Sequence, residues 1–275
     1  MGKIEIEKII QHEDPDQDEN FKSSKKSSNI IAAIFKIVGM DINKIEQYKI
    51  IGRSHLVNSK EFKKLMLDIP WVTYRSNFKS IDGYTSDSGW GCMIRVAQMM
   101  LANTLINTNR YKFRVHNDSD EDISLDISTE EHMKVILPLF LDNYEGADGP
   151  FSIRNLVRIG QEITGKSTGE WYGAHSISQV IREANDIYNK MYSKRFKIIT
   201  FNDGIVYRED LLKTFESNSS RDNFYSILTI IPSRIGLNKV DPIYFPQIKG
   251  FLDDKLSVGI LGGKSYSAMY YIGYK

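Results

Sequence analysis

The one thiol in this chain, Cys92, stands in Tyr84-Thr85-Ser86-Asp87-Ser88-Gly89-Trp90-Gly91-Cys92-Met93-Ile94-Arg95. A polar, glycine-punctuated stretch delivers the sulfur to the start of a long apolar run that ends near Ile106. A thiol at a helix N-terminus meets the positive end of the helix dipole and backbone N–H groups that lack an intrahelical acceptor. Both favour thiolate over thiol, and so favour a nucleophile. The competing reading is an inert core cysteine, the commoner fate of a lone thiol. Gly89 and Gly91 weigh against it, because flanking glycines permit a sharp turn and close approach of a substrate backbone, and neither is needed to bury a small apolar group.

A thiol nucleophile also needs an imidazole to take its proton, a group that orients the imidazole, and a donor for the developing oxyanion. The chain has five histidines: His12, His55, His116, His132 and His175. His12 lies in a polar leader and His116 borders a polar stretch. His132 reads as a solvated residue near a helix start, and His55 as a loop residue. His175, close to Trp171 and Gly173, has the best local context, although a capping or surface role competes. No histidine falls in the strand-rich C-terminal third, where a helix-plus-sheet thiol protease would place its base. Gly262-Gly263-Lys264-Ser265 lacks the first glycine of a phosphate loop, since Val258 occupies that place, and the acidic residues have no EF-hand spacing.

The elements that must position these groups follow from periodicity. Residues 92–106 are apolar nearly all round, with Arg95, Gln98, Asn103 and Thr104 as the interruptions, which predicts a buried central helix. Before it, helices are expected over residues 30–38 and 61–67, the second stopping at Ile69-Pro70. Strands are expected over 48–51 and 71–74, with a loop over 77–88. After it come a polar loop over 117–128, a helix from Gly149-Pro150 through Ile159 ending at Gly160, and a helix over 176–188. Strands are then expected over 196–201, 226–231 and 258–261, a turn at Gly262–Ser265, and a last strand over 268–274. Helices in the first half and strands in the second give an α+β fold, with an antiparallel sheet packed on the thiol helix.

Composition narrows the function class. With 36 basic and 35 acidic residues among 275, no electrostatic footprint for nucleic acid or a membrane surface is present. A single cysteine excludes an intramolecular disulfide and a cysteine-based zinc site, and fits a reducing compartment. No run approaches about 18 apolar residues, and the N-terminus lacks the apolar core of a signal peptide. Residues 11–28 are acidic and then Lys/Ser-rich, so 1–28 is expected to be a disordered leader and 29–275 a single folded domain. A cytoplasmic monomer without cofactor or metal is expected.

Several motifs in order resemble the autophagins, the autophagy-related cysteine endopeptidases. The nucleophile segment Thr85–Arg95 with Gln98 and Met99 is similar to theirs, as is Trp71-Val72-Thr73-Tyr74-Arg75-Ser76-Asn77-Phe78 before it. Gly149-Pro150-Phe151-Ser152-Ile153, Gly169-Glu170-Trp171-Tyr172-Gly173, Ile231-Pro232-Ser233-Arg234-Ile235-Gly236-Leu237, Gly259–Lys264 and Tyr270–Tyr274 follow, so the likeness runs from about residue 45 to the last residue. The resemblance implies a papain-like fold and a protease that cuts a ubiquitin-like modifier after its C-terminal glycine. That cut readies the modifier for lipid attachment, and the enzyme can later release it from the lipid. It further implies Cys92 as nucleophile, Tyr74 as oxyanion support, and Trp171, Trp90 and Gly91 along a narrow groove for the glycine tail. A groove roofed by aromatics selects glycine by steric exclusion. The sequence departs from the pattern in two ways. Met269 and Ala174-His175 replace a histidine and a Pro-Asn pair, and the sequence ends at Lys275, before the family's Asp-Pro-His segment. Asp241-Pro242 is followed by Ile243 and does not supply it. Two expectations result: a cysteine endopeptidase whose peptidase domain is incomplete at its C-terminus, or a catalytically inactive protein that binds the modifier without cutting it.

Overall fold

The thiol helix organises everything around it. A computed structural model describes residues 47–51, 57–58, 61–62, 65–66, 68–115, 129–142, 149–192, 196–216, 226–236 and 239–274. The expected leader 1–28, the domain start at 29, the helix over 30–38, the polar loop over 117–128, and His12, His55 and His116 lie outside them. Strands β1 (Gln47–Ile50) and β2 (Val57–Asn58) are followed by helical residues at 61–62 and 65–66, and then by β3 (Ser76–Ile81) and β4 (Tyr84–Ser86). Helix α1 spans Cys92–Val115, longer than its apolar run, and α2 spans Thr129–Ile136. Next come α3 (Ile153–Thr164), α4 (Ala174–Tyr192), β5 (Phe196–Thr200), α5 (Arg208–Glu216) and β6 (Ser226–Ile230). The last elements are α6 (Phe245–Asp253), β7 (Ile260–Lys264), β8 (Ser267–Tyr271) and β9 (Gly273–Tyr274).

Met93, Ile94, Ala97, Leu101 and Ile106 of α1 are almost fully buried in one cluster with Phe151, Leu156 and Val157 of the α3 region and Val180 and Ile181 of α4. Phe151 is the pivot, its ring 5.3 Å from that of Phe140 and 5.2 Å from that of Tyr188. The opposite side of α1 presents Val96 and Met99 to Val72 and to Leu261, Ala268 and Tyr270 of the β7–β8 pair. A helix covered on both sides has no place for a polar face, which is why the run is apolar all round. The antiparallel β7–β8 pair thus provides the expected sheet on the thiol helix.

Five sequence expectations need correction. Trp71–Tyr74 is not a strand: residues 71–75 have no ladder partner, and their aromatic and β-branched character serves contacts instead, with Val72 buried against α1. The expected loop over 77–88 contains the β3–β4 hairpin, turned by Asp82 and Gly83 at φ 48° and 90°. An Asp-Gly pair with both residues at positive φ is the turn that matches strand twist. The third helix runs through Gly160 and stops five residues later at Gly165, which has φ 68° and donates its N–H to Gln161 O at 3.2 Å. Gly160 is interior because the Tyr172 ring lies where its Cβ would be. The glycines at 262 and 263 belong to β7, and the turn falls on Ser265-Tyr266. Finally, β5 and β6 pair in parallel rather than antiparallel register, Phe196 opposite Ser226 through Thr200 opposite Ile230. A parallel pair needs a long crossover, and α5 lies within it.

Candidate active site

The segment that precedes α1 is shaped by one carboxylate. Asp87 is fully buried; its Oδ1 accepts from the Arg75 N–H at 2.6 Å and its Oδ2 from Arg95 Nε at 2.7 Å. Its carbonyl accepts from the N–H groups of Trp90 (3.2 Å) and Gly91 (2.8 Å), which winds the chain into the helix. Gly91 is required by packing, since a Cβ there would strike the Asp87 carboxylate. The Trp90 indole N–H donates to Ser86 O at 3.0 Å, and the Trp90 ring is buried. Cys92 follows as the first helical residue, its N–H without an intrahelical acceptor.

Beneath the thiol lies a buried charge network. Arg95, one turn along α1, donates from Nη1 to Gln98 Oε1 at 3.0 Å, and Gln98 donates to Phe151 O at 2.7 Å. Its Nη2 stands 2.9 Å from Asp142 Oδ2 as a charge contact without hydrogen-bond alignment. Asp142 Oδ1 in turn accepts from the Ile153 N–H at 3.0 Å. Burial works against the Arg95 charge, and the two carboxylates more than offset it, so the guanidinium sits above its usual value. Arg95 was visible in the sequence as an interruption of an apolar helix, and a charge there must be paired. Its partner Asp142, 47 positions away, carried no local signal.

Tyr74, from the irregular segment before β3, brings its phenol to the Cys92 thiol. Tyr74 is partly exposed, yet the partial burial of its hydroxyl first, and then the neighbouring Cys92 and Asp87, push this phenol up to about 12. Like any phenol, Tyr74 is a protonated donor at neutral pH, set beside a sulfur that is itself only 4% exposed. A phenol O–H and a helix-start N–H on either side of a buried thiol can accept the negative charge that develops when sulfur adds to a carbonyl.

Trp171, on the stretch between α3 and α4, packs against the core cluster that includes Trp90. Its link to the thiol passes through Tyr84: Trp171 is two residues from Gly169, the Tyr84 ring rests where a Gly169 Cβ would be, and Tyr84 meets Trp90 edge-on at 5.8 Å. His175 is not drawn in. Exposed at the start of α4, it places Nε2 3.1 Å from Gln179 Nε2 one turn along the helix. Among the described residues, none pairs an imidazole with the Cys92 thiol.

A family model described as the peptidase C54 catalytic domain matches residues 59–275. The chain belongs to the peptidase C54 family. Membership carries the papain-like α+β fold, in agreement with the thiol helix packed on an antiparallel strand pair. The chain is 31% identical over 230 residues to a probable cysteine protease atg4 of Sclerotinia sclerotiorum, covering 74% of this chain and 48% of the relative. It is 32% identical over 254 residues to the cysteine protease ATG4A of Mus musculus, covering 82% and 60%. To a probable cysteine protease ATG4 of Vanderwaltozyma polyspora it is 27% identical over 286 aligned positions, covering 95% and 66%. The chain thus spans between about half and two thirds of the length of these relatives. The family match places it among the autophagy-related cysteine peptidases, and the thiol segment, Tyr74 and Trp171 all lie within the matched residues.

Proposed function

We propose that this C54-family chain is a cysteine endopeptidase that cleaves a ubiquitin-like autophagy modifier after its C-terminal glycine, both in the precursor and in the lipid-conjugated form. The observation that carries this reading is the buried Cys92 thiol at the first residue of a buried helix, delivered there by the Asp87–Gly91 turn, with the Tyr74 phenol beside it. In the proposed reaction the Cys92 thiolate adds to the glycine carbonyl, and Tyr74 O–H and the Cys92 N–H take up the oxyanion. The C–N bond breaks as the amine leaves with the proton that the thiol gave up, and water then cleaves the thioester, freeing the modifier's glycine carboxyl group and restoring the thiol. Trp171, Trp90 and Gly91 form the narrow approach to the sulfur, and the low exposure of Cys92 supports passage of an extended glycine tail only. Balanced charge and the absence, among the described residues, of a helix long and apolar enough to cross a membrane agree with a cytoplasmic, monomeric enzyme that meets the modifier in solution or on the lipid surface.

His175 meets Gln179 rather than the Cys92 thiol, which favours a second reading, in which the chain binds the modifier and leaves it intact. Purified chain incubated with modifier precursor, and separately with modifier ending in a glycine vinyl sulfone, distinguishes the two. Endopeptidase activity predicts a product ending in glycine and a single covalent adduct, both lost in Cys92→Ala. Binding of intact precursor without an adduct supports the second reading, and neither binding nor cleavage overturns both.

A further inference from the structure

The β3–β4 hairpin and the loop that carries Trp171 are fastened to each other at the hairpin turn. Asp82, in the hairpin turn, accepts through Oδ2 from Thr168 Oγ1 at 2.7 Å and from Gln161 Nε2 at 2.8 Å. Gln161 also reaches Thr168 Oγ1 at 3.2 Å, so the three side chains close a ring of hydrogen bonds between hairpin and loop. Thr168 is buried, so its hydroxyl has little access to water as a substitute partner. A second tether comes from α3: Arg154 Nη2 donates to the carbonyls of Lys79 (2.6 Å) and Ser80 (3.1 Å) on β3. The Trp171 loop is braced internally, since Glu170 accepts from the Ser167 N–H and returns its own N–H to Ser167 O at 3.2 Å. These bonds tie together the residues that lead directly into Trp171, so a hold on Thr168 bears on where Trp171 sits. The hairpin leads directly into the thiol segment through Ser86, whose carbonyl holds the Trp90 indole. Gly169, at φ +88°, lets the Tyr84 ring seat on the loop backbone, and the same ring braces Trp90.

We propose that Asp82, Thr168 and Gln161 form a latch that positions Trp171 against the Trp90–Cys92 segment and thereby sets how narrow the approach to the thiol is. None of the three touches the sulfur; they are positioning residues that act through Tyr84, Gly169 and Trp171. The inference deepens the peptidase reading by assigning the residues that decide whether glycine alone, or glycine and alanine, can precede the cut. A latch that holds the two walls together discriminates against one added methyl, and a loosened latch lets the wall give way to it.

Thr168→Val keeps the shape and removes the donor. Asp82→Asn keeps an acceptor oxygen and suits a positive-φ turn position, so it is the conservative counterpart. Protein labelled with 5-fluorotryptophan gives resonances from three tryptophans, with that of Trp171 assigned through Trp171→Phe. In Thr168→Val the Trp171 and Trp90 resonances are expected to shift or broaden and that of Trp71 to stay, with Asp82→Asn close to the parent protein. In parallel, modifier precursors with glycine or alanine before the cut are expected to show a glycine preference that falls about tenfold in Thr168→Val and is largely retained in Asp82→Asn. Unchanged Trp171 and Trp90 resonances in Thr168→Val overturn the latch, whether or not the chain cleaves anything. Shifted resonances with an undiminished glycine preference overturn its role in selectivity. If the parent protein cleaves neither precursor, the peptidase reading falls, while the resonances still decide whether the latch places Trp171.

Discussion

At the scale of single residues, the proposed reaction assigns Tyr74 as donor and Cys92 as nucleophile. Tyr74→Phe removes the phenol O–H and keeps the ring, so the expected outcome is a loss of about 10²-fold in kcat with KM nearly unchanged, measured on modifier precursor. Tyr74 and the buried Tyr172 both titrate above the ordinary 10.0, each at about 12, burial being the first cause in both. A raised folded-state pKa contributes stability that is complete below the unfolded value and is lost as pH rises through the folded one. Alkaline titration followed by phenolate absorbance should therefore show these two lagging behind the ordinary 10.0. The melting temperature should hold to about pH 10 and fall as pH approaches about 12. Phenolate formation at an ordinary pH by the residue lost in Tyr74→Phe would contradict the burial and the Cys92 contact described for it.

At the scale of elements, the start of α1 is held by a charge network that no local propensity demands. Arg95→Met leaves Asp87 buried without its cation and Asp142 with the more distant Arg75 Nε at 3.8 Å, for an expected destabilisation of about 3–5 kcal/mol by denaturant unfolding. Gly91→Ala drives a methyl into the Asp87 carboxylate; overpacking of this kind costs about 1–3 kcal/mol. The two variants should be non-additive when combined, because both act on the position of Asp87. Additive effects would show that the glycine and the arginine serve separate ends. The helix itself was legible in the sequence, down to its first residue, because a long apolar run that opens directly after Gly89-Trp90-Gly91 admits few other readings. The hairpin before it was not read, although Asp82-Gly83 is its signature, because the polar residues around the turn outweighed the alternation. Exposed hairpins on a site rim bury too little to show a strong period of two.

At the scale of the whole molecule, α1 is clamped between a helical layer and a strand pair, and Phe151 is where the helical side converges. Phe151→Ala should cost about 3–5 kcal/mol, a fall of roughly 10 °C in melting temperature for a chain of this size. On the strand side, Asn103 Nδ2 donates to Tyr270 Oη at 3.0 Å, and the Tyr270 hydroxyl donates to Val258 O. Asn103→Leu should therefore loosen β8 from α1 and leave the α3–α4 side intact, a pattern that hydrogen exchange resolves element by element.

The sequence by itself determined the family, the α+β class and the buried thiol helix, because each of these is written in contiguous spacing. Apolar periodicity marks a helix, glycines mark the approach to it, and several ordered motifs mark the family. The tertiary structure alone decided the rest. It paired β5 with β6 in parallel, carried the helix after Ser152 through Gly160, joined Arg95 to Asp142 across 47 positions and latched Asp82 to Thr168 across 86. These are contacts between residues far apart in the chain, chosen by the global packing of a dense core, and no local window of sequence holds the information that selects them.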